Sequence, residues 1–382
     1  MKKLIFSLVA ALGMLTSHAA LAVKPVVEGY FSEWSIYGRN YQISNIPADK
    51  LTNLIYAFAK IDENNNVVPF DVWAALGKDP KTYQPVDSDG NYPEGDYAGN
   101  YKKLQDLKAA HPDLKITIAI GGWTLSEPFS PMAANAASRK HFVESVKKFI
   151  TKYGFDGVDI DWEYPGGGGQ ADGNPGDTQN FTTLMQDLRN ELGPDAIITV
   201  AAPAGDPLRN IQLGQVAKSI NYFNLMAYDF HGSSWEKKET NHQSALYSNP
   251  QDPSSFRDRY NIDYAVKQYL DAGVPADKIV MGLPLYSRAW TGVSSTNDGL
   301  FQQATGPVEG TWDHLTPQDP LSGVLDYGDL ANKVSSDVNF KVFWDNDAKV
   351  SYVYNAQLGN FYTFDDSKTI DTKLDYIKSN HL

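Results

Sequence analysis

Cysteine is absent from this 382-residue chain, and histidine is scarce at 7. Without disulfides the fold must be held by its packed core, and a chain of this length buries enough surface to make one. Positive charge is also short: 33 Lys and Arg face 46 Asp and Glu, leaving a net charge of −13 and a pI near 4.9. Nucleic acid and anionic membrane surfaces reward basic patches, so neither is an expected partner. Long apolar runs are missing too, apart from the N-terminus. There Lys2 and Lys3 precede an apolar run from Leu4 to Leu15 and the small-x-small site Ala20-Leu21-Ala22. That order reads as a secretory signal peptide cut after about Ala22, because the run is too short to span about 30 Å of hydrocarbon. The expectation is a secreted protein, extracellular or periplasmic, with residues 1–22 as leader, no membrane partner and a monomeric state.

Aromatic rings, by contrast, are plentiful, at 12% of residues with 8 Trp and 22 Tyr. In an acidic, exported chain such rings suit carbohydrate, whose flat faces lie on them, although cores use the same residues and composition does not separate the two uses. Apolar strand-like runs recur at 26–31, 54–61, 116–122, 157–163, 197–202, 222–229 and 279–285, with helical segments between them. Seven strands joined by long crossovers predict a parallel α/β barrel over residues 23–290. Phe142, Val143, Val146, Phe149 and Ile150 share one helical face ahead of Gly154, and Phe181, Leu184, Met185, Leu188 and Leu192 repeat the pattern ahead of Gly193. From 291 to 360 the rhythm changes to short strand-like pieces punctuated by Gly, Thr, Pro and Asp, which predicts a small α+β insertion after the seventh strand. Residues 361–382 read as the barrel's last helix.

The chain is organised around Gly154-Phe155-Asp156-Gly157-Val158-Asp159-Ile160-Asp161-Trp162-Glu163-Tyr164-Pro165. Val158, Ile160 and Trp162 fall on one parity and Asp159, Asp161 and Glu163 on the other, the period of a strand with one apolar and one acidic face. Residues two apart on a strand lie roughly 6.5–7 Å apart, so three carboxyls in a row resist full ionisation and one holds a proton near neutral pH. Glu163, at the C-terminal end, is the natural general acid. Alternating carboxylates also hold hard cations, and that reading competes with the first, though no His motif or second acid cluster accompanies them. Barrel chemistry gathers at the C-terminal ends of strands, which singles out Gly121-Gly122-Trp123, Met226-Ala227-Tyr228-Asp229 and Tyr286-Ser287-Arg288. Trp123 suits either a sugar floor or a core position, and Trp235 either a cleft rim or an ordinary loop. The glycine-rich stretch Gly166–Gly169 reads as a flexible connection, since a phosphate cradle would need a Lys and a helix start that are not there.

The run D-G-V-D-I-D-W-E-Y-P resembles the D-x-x-D-x-D-x-E signature of glycoside hydrolase family 18, the chitinases, with Asp156, Asp159, Asp161 and Glu163 in the acidic places. Ala119-Ile120-Gly121-Gly122 is similar to its S-x-G-G motif, Met226-Ala227-Tyr228-Asp229 to its M-x-Y-D and Tyr286-Ser287-Arg288 to its Y-x-R. The segments at 29–40 and 122–126 look like the bacterial chitinase A group in particular. The resemblance implies a TIM-type (β/α)8 barrel and hydrolysis of chitin and chitooligosaccharides, with no metal and no cofactor. It makes Glu163 the proton donor, with the substrate's own N-acetyl carbonyl as nucleophile. Asp161 would steady that acetamido group, Asp159 would share its proton, and Tyr228 would hydrogen-bond the N-acetyl group. Asp229, Arg288, Tyr30, Tyr164, Met226 and Tyr286 would bind around the reacting sugar. Trp34, Tyr37 and Trp312 would line the outer cleft. One departure stands out: the family's serine is Ala119 here, which removes a hydroxyl from the inner carboxylate. Two other functions share parts of this pattern, an endo-β-N-acetylglucosaminidase and a chitin-binding lectin, the latter usually without the acid.

In relatives the final helix feeds an eighth strand carrying a Trp beneath the cleaved sugar, whereas this sequence stops at Asn380-His381-Leu382. The expectation is a chain that lacks the strand closing the barrel, either a fragment or a poorly stable, nearly inactive protein. Extending the chain with a relative's last strand should then raise both its melting temperature and its chitinase rate. Equal melting and equal rates in the two forms would refute that expectation.

Overall fold

The computed structural model describes residues 25–87, 90–311 and 322–382. The expected leader and Trp312 lie outside the described residues. Eight strands form the first sheet: β1 (Glu28–Ser32), β2 (Asn53–Ile61), β3 (Val67–Pro69), β4 (Lys115–Gly121), β5 (Gly157–Asp161), β6 (Ile197–Pro203), β7 (Tyr222–Met226) and β8 (Ile279–Met281). Their order is β1-β2-β4-β5-β6-β7-β8, every neighbouring pair parallel, and β3 folds back antiparallel on β2. This is a TIM-type barrel followed through seven parallel strands, and among the described residues no eighth parallel strand joins β8 to β1. β5 ends at Asp161 rather than at 163, β7 at Met226 rather than at 229, and β8 at Met281 rather than at 285. Pro284 has no N–H to give the ladder, and the Leu285 side chain stands out in solvent.

The alternation along β5 sorts the two faces of the sheet. Val158, Ile160 and Trp162 are buried under the outer helices. Trp162 stacks on Phe129 at 5.3 Å between ring centroids and meets Phe181 edge-on at 5.9 Å. The helix Ala136–Tyr153 buries the predicted face, starts at an Asn135 cap on the Ala137 N–H and ends at Gly154 in the left-handed conformation. The helix Asp177–Leu192 buries Phe181, Leu184, Met185 and Leu188 against the same strands and stops at Gly193.

A second, antiparallel sheet is built from β9 (Tyr286–Thr291), β10 (Gly306–Pro307), β11 (Val324–Asp326), β12 (Lys341–Asp345), β13 (Val350–Asn355) and β14 (Asn360–Thr363). Its order is β10-β9-β14-β13-β12, with β11 on the other part of β9. The sheet therefore takes in residues 286–290 and 361–363, which boundaries at 290 and 360 would leave with the barrel. The reason is pairing: Arg288 lies opposite both Val324 and Thr363.

The final helix, Ser367–Asn380, starts at an Asp366 cap on the Thr369 N–H. Ile370, Leu374 and Ile377 share one face of it, along which Ile377 packs half-buried on the barrel core while Leu374 is 38% exposed. Thr369, Lys373 and Tyr376 are the residues it buries fully. Lys373 is wholly buried with its Nζ 2.6 Å from Asp365 Oδ2, while Ser244 Oγ donates to Asp365 Oδ1 at 2.6 Å. Tyr376 Oη donates to Asp263 Oδ1 at 3.0 Å.

Removing one partner of a buried ion pair strands the other charge, at a cost of about 3–5 kcal/mol. Lys373→Met is expected to lose that much in urea unfolding. Adding Asp365→Asn in the same chain should recover most of it, and a double mutant as unstable as the single one would show that packing, not charge, is what Lys373 supplies.

Candidate active site

Asp159 and Asp161 leave β5 on its inner side and Glu163 follows two residues past its end, at increasing height towards the open end of the strands. Asp159 lies deepest and is fully buried. The register places it in one row with Ala57 of β2, Ala119 of β4 and Thr199 of β6. Thr199 Oγ1 donates to its Oδ1 at 2.6 Å and Tyr30 Oη to its Oδ2 at 3.0 Å, with Asn224 Nδ2 a weaker donor at 3.4 Å. Burial pushes the Asp159 carboxyl up to about 6 against the pull of those three donors.

Asp161 is buried with Oδ1 lacking any hydrogen-bond partner. Burial, then the neighbouring Glu163 and Asp159 charges, hold its carboxyl well above the ordinary range. Glu163 is pushed up to about 7 by burial, with a hydrogen bond to Tyr164 opposing and the Asp229 charge reinforcing the rise. The backbone beneath this pair is stapled from the loop after β4. Gly122 N donates to the Asp161 carbonyl at 2.7 Å, and Ser126 Oγ accepts from Glu163 N at 2.8 Å. That approach needs Gly121, which has φ 109° and whose added Cβ would fall 2.2 Å from the Asp161 carbonyl oxygen. Asp156, the first acid of the motif, is not in the site. It accepts from Ile116 N at 2.9 Å and pairs with Lys108 at 2.8 Å, at the other end of the strand.

Across the cleft Asp229, at φ 58°, takes a two-pronged ion pair from Arg288, with Nε to Oδ1 at 2.8 Å and Nη2 to Oδ2 at 2.7 Å. The guanidinium lies 4.9 Å from the Trp235 ring centre and 5.4 Å from that of Tyr286. Tyr228 packs edge-on to Tyr286 at 6.2 Å. Burial, then the charges of Asp229, Asp161 and Glu163, raise its hydroxyl pKa, so it stays a neutral donor. Met226 is half-buried where β7 ends. Tyr228, Asp229, Tyr286 and Arg288 thus share the side of the cleft facing the acidic row.

Of the outer aromatics, Tyr37, Trp123 and Trp235 stand exposed and Trp34 is half-buried. Trp123 is 51% exposed and Trp235 50%. Trp34 stacks on Phe58 at 6.1 Å, and Tyr37 Oη donates to Asp71 Oδ2 at 2.5 Å. Asp71 also caps the short helix Val72–Leu76, which carries Trp73, 56% exposed and absent from the sequence-based candidates. The one hint was an Asp three residues ahead of an Ala-Ala-Leu run. Thr199 and Asn224 were also missed, because single polar residues inside apolar strands give no signal until the register is known. The glycine-rich stretch is not a loose connection. Asp177 Oδ2 accepts from Gly166 N at 3.2 Å and Asn174 N at 2.8 Å, and its Oδ1 from Ser130 at 2.7 Å, so the loop is tied down behind Tyr164.

Residues 26–382 match the family model for Glycosyl hydrolases family 18. The chain is 35% identical to Chitinase A1 of Niallia circulans, over 97% of this chain but 57% of that protein. It is 34% identical to Chitinase 1 of Aphanocladium album, over 92% of this chain and 78% of that one. Among solved structures, Chitinase ChiA74 from Bacillus thuringiensis superposes with a TM-score of 0.82 at 36% identity, covering 94% of this chain and 64% of its own. The Group IV chitinase of Ostrinia furnacalis in complex with allosamidin gives 0.81 at 27% identity, over 94% of this chain and 90% of its own.

The acidic row carries a stability cost with a definite pH window. A carboxyl whose folded pKa is raised holds its proton longer in the folded than in the unfolded chain. Stability is therefore complete below the unfolded value near 4 and is lost as pH rises through the folded values, about 6 for Asp159 and about 7 for Glu163. Asp161→Asn removes the most crowded member and should raise stability at pH 7 by on the order of 1 kcal/mol. The gain should shrink towards pH 4 in paired thermal melts, and a gain that did not change with pH would contradict this account.

Proposed function

The chain belongs to family 18 of the glycosyl hydrolases, and on that premise we propose that it is a secreted chitinase. Its substrates would be chitin and chitooligosaccharides, cut at the β-1,4 links between N-acetylglucosamine units with retention of configuration. The observation that carries the reading is the pairing of Glu163, its carboxyl pushed up to about 7 at the mouth of the cleft, with Asp161, whose buried Oδ1 is left without a partner.

In the first step Glu163 gives its proton to the glycosidic oxygen as the bond to the anomeric carbon breaks. The carbonyl oxygen of the substrate's own N-acetyl group closes on that carbon, and the acetamido nitrogen takes up positive charge. Asp161 Oδ1 accepts from the acetamido N–H and steadies the charge, which is the use we assign to its free lone pairs. Tyr228 donates to the acetamido oxygen and holds it in line. Water then attacks the anomeric carbon from the face the leaving group vacated, giving its proton to Glu163, and the starting configuration returns. Asp159, anchored by Thr199 and Tyr30, is the inner partner that lets Asp161 gain or lose a proton. Arg288 and Asp229, locked to one another, present fixed donors and acceptors to sugar hydroxyls. Trp34, Tyr37, Trp123, Trp235 and Trp73 offer ring faces to further sugars along the chain. Secretion rests on the pattern from Lys2 to Ala22, and among the described residues no helix is long and apolar enough to cross a membrane.

The test uses release of a chromophore from a di-N-acetylchitobioside, with peptidoglycan and a high-mannose glycopeptide as controls. Glu163→Gln is expected to cut turnover by about 10² or more while oligosaccharide binding survives, the usual scale for a general acid. A thiazoline mimic of the cyclic intermediate should inhibit strongly. Wild-type turnover by that variant, or a covalent glycosyl-enzyme on Asp161 or Asp159, would sink the mechanism.

A further inference from the structure

One carboxyl outside the acidic row is shut away from solvent although the reaction above has no use for it. Glu33, 1% exposed, opens the single turn Glu33–Ile36 that follows β1, carries Trp34 and ends against Tyr37. Its Oε2 accepts from Tyr56 Oη, on β2, at 3.1 Å. Its Oε1 accepts from the backbone N–H of Asp71 at 3.1 Å, 38 residues further along the chain. Tyr56 is itself fully buried, and Asn100 Nδ2 donates to its Oη at 3.1 Å. Glu33 therefore joins two segments that carry rings. The first is its own turn, with Trp34 and Tyr37, and the second begins at Asp71, whose Oδ1 caps the helix bearing Trp73. Asp71 Oδ2 accepts from Tyr37 Oη as well, so the two segments are tied twice. The Tyr37 tie stands in solvent, whereas the Glu33 carboxyl does not.

Burying a carboxyl costs free energy that the bonds made to it must offset. An apolar side chain would fill the same space without that cost, but it would take this acceptor away from the Asp71 N–H and the Tyr56 hydroxyl. We propose that Glu33 is a positioning residue for long substrates: bonded to Asp71 and Tyr56 at once, it fixes the Trp73 helix against the Trp34–Tyr37 turn, so that the ring faces are set before a sugar chain arrives. Rings held in place beforehand lose less freedom on binding. The benefit goes to chains that reach past the sugars beside Glu163, and in this the proposal rests on the hydrolase reading above. Burial holds the Glu33 carboxyl well above the ordinary range and the Asp71 charge adds to the rise, while the bonds from Tyr56 and the Asp71 N–H and the Lys60 charge oppose it. A neutral acid keeps a carbonyl oxygen for the Asp71 N–H, and a glutamine amide reproduces it.

The experiment compares the full chain with Glu33→Gln and Glu33→Met, by kcat and KM on chitohexaose and on the chromogenic chitobioside, and by backbone hydrogen exchange over residues 71–76. Methionine fills a similar volume but is only a weak acceptor. Glu33→Met should raise KM for chitohexaose by about fivefold to tenfold, the scale of ordering one or two ring side chains on binding. Its kcat, and both constants on the chitobioside, should not change, and glutamine should restore KM. In the wild type the Asp71 N–H should exchange slowly, alongside the amides of β2. It should exchange fast in Glu33→Met and slowly again in Glu33→Gln. An equal loss on both substrates, an unchanged KM for chitohexaose, or a glutamine variant no better than methionine overturns the proposal. So does a fast-exchanging Asp71 N–H in the wild type, a measurement that needs no variant to fold. A wild-type chain that cleaves no chitooligosaccharide defeats the hydrolase reading, and the exchange arm still decides what Glu33 holds.

Discussion

Three carboxyls spaced roughly 6.5–7 Å apart along one strand and turned into a barrel cannot all carry charge. The rest of the site can be understood as the way this chain divides protons among them. Asp159 receives donors from β1, β6 and β7, which draw it towards the anion. Asp161 receives none on Oδ1, and Glu163 keeps only its contact with Tyr164. The proton affinity is therefore lower at the deep end of the row, about 6 at Asp159, than at its outer end, about 7 at Glu163.

Holding that row in place is mostly work for the backbone and for side chains that never meet a substrate. Gly121 and Gly122 bring the loop after β4 against the Asp161 carbonyl, and Ser126 fixes the Glu163 peptide. The antiparallel sheet contributes more than a wall. Tyr286 and Arg288 sit on β9, and the Arg288–Asp229 pair ties that strand to the end of β7. Gln243 adds a second tie, donating from Nε2 to the Tyr286 carbonyl at 2.8 Å and from its backbone N–H to Thr363 Oγ1 at 3.1 Å. On the opposite lip, Arg39 pairs with Asp326 and donates to the Thr311 carbonyl at 3.2 Å, joining the Trp34–Tyr37 segment to the same sheet. Both rims of the cleft are thus bridged by arginines, whose planar donors suit fixed geometry better than lysine would.

What the sequence made legible was whatever repeats with the period of a strand or helix, or recurs as a motif. The seven parallel strands, the two outer helices with their glycine stops and the parity of the acidic row all follow from periodicity, and the residues around the reacting sugar came from motif resemblance. The strand at 279–285 was drawn too long because apolar character continued past the proline that ends its pairing. In the last helix the fully buried positions include Lys373, paired with Asp365, and Tyr376, bonded to Asp263, which apolar periodicity does not mark. Thr199 and Asn224 give no signal for a common reason. Their importance lies in what stands across from them in space, Asp159 for the first and Tyr30 and Asp159 for the second, and no local pattern in the sequence encodes a partner 30 or more residues away.

The alanine at position 119 leaves one wall of the row without a hydroxyl. Ala119 packs with Ile55 and Ala57 into a small apolar patch inside the barrel, with Phe58 against it, so the β2 and β4 side of Asp159 offers no donor. Every hydrogen bond that Asp159 accepts comes from the other side, from Thr199, Asn224 and Tyr30. An apolar flank disfavours the anion and a set of donors favours it. In this chain the flank prevails, since the carboxyl sits at about 6 rather than at the 3.8 of a free aspartate. A hydroxyl at 119 would add a donor and pull Asp159 back towards that value. With alanine there, burial holds the inner carboxyl above the ordinary aspartate range, and the donors from β1, β6 and β7 oppose it.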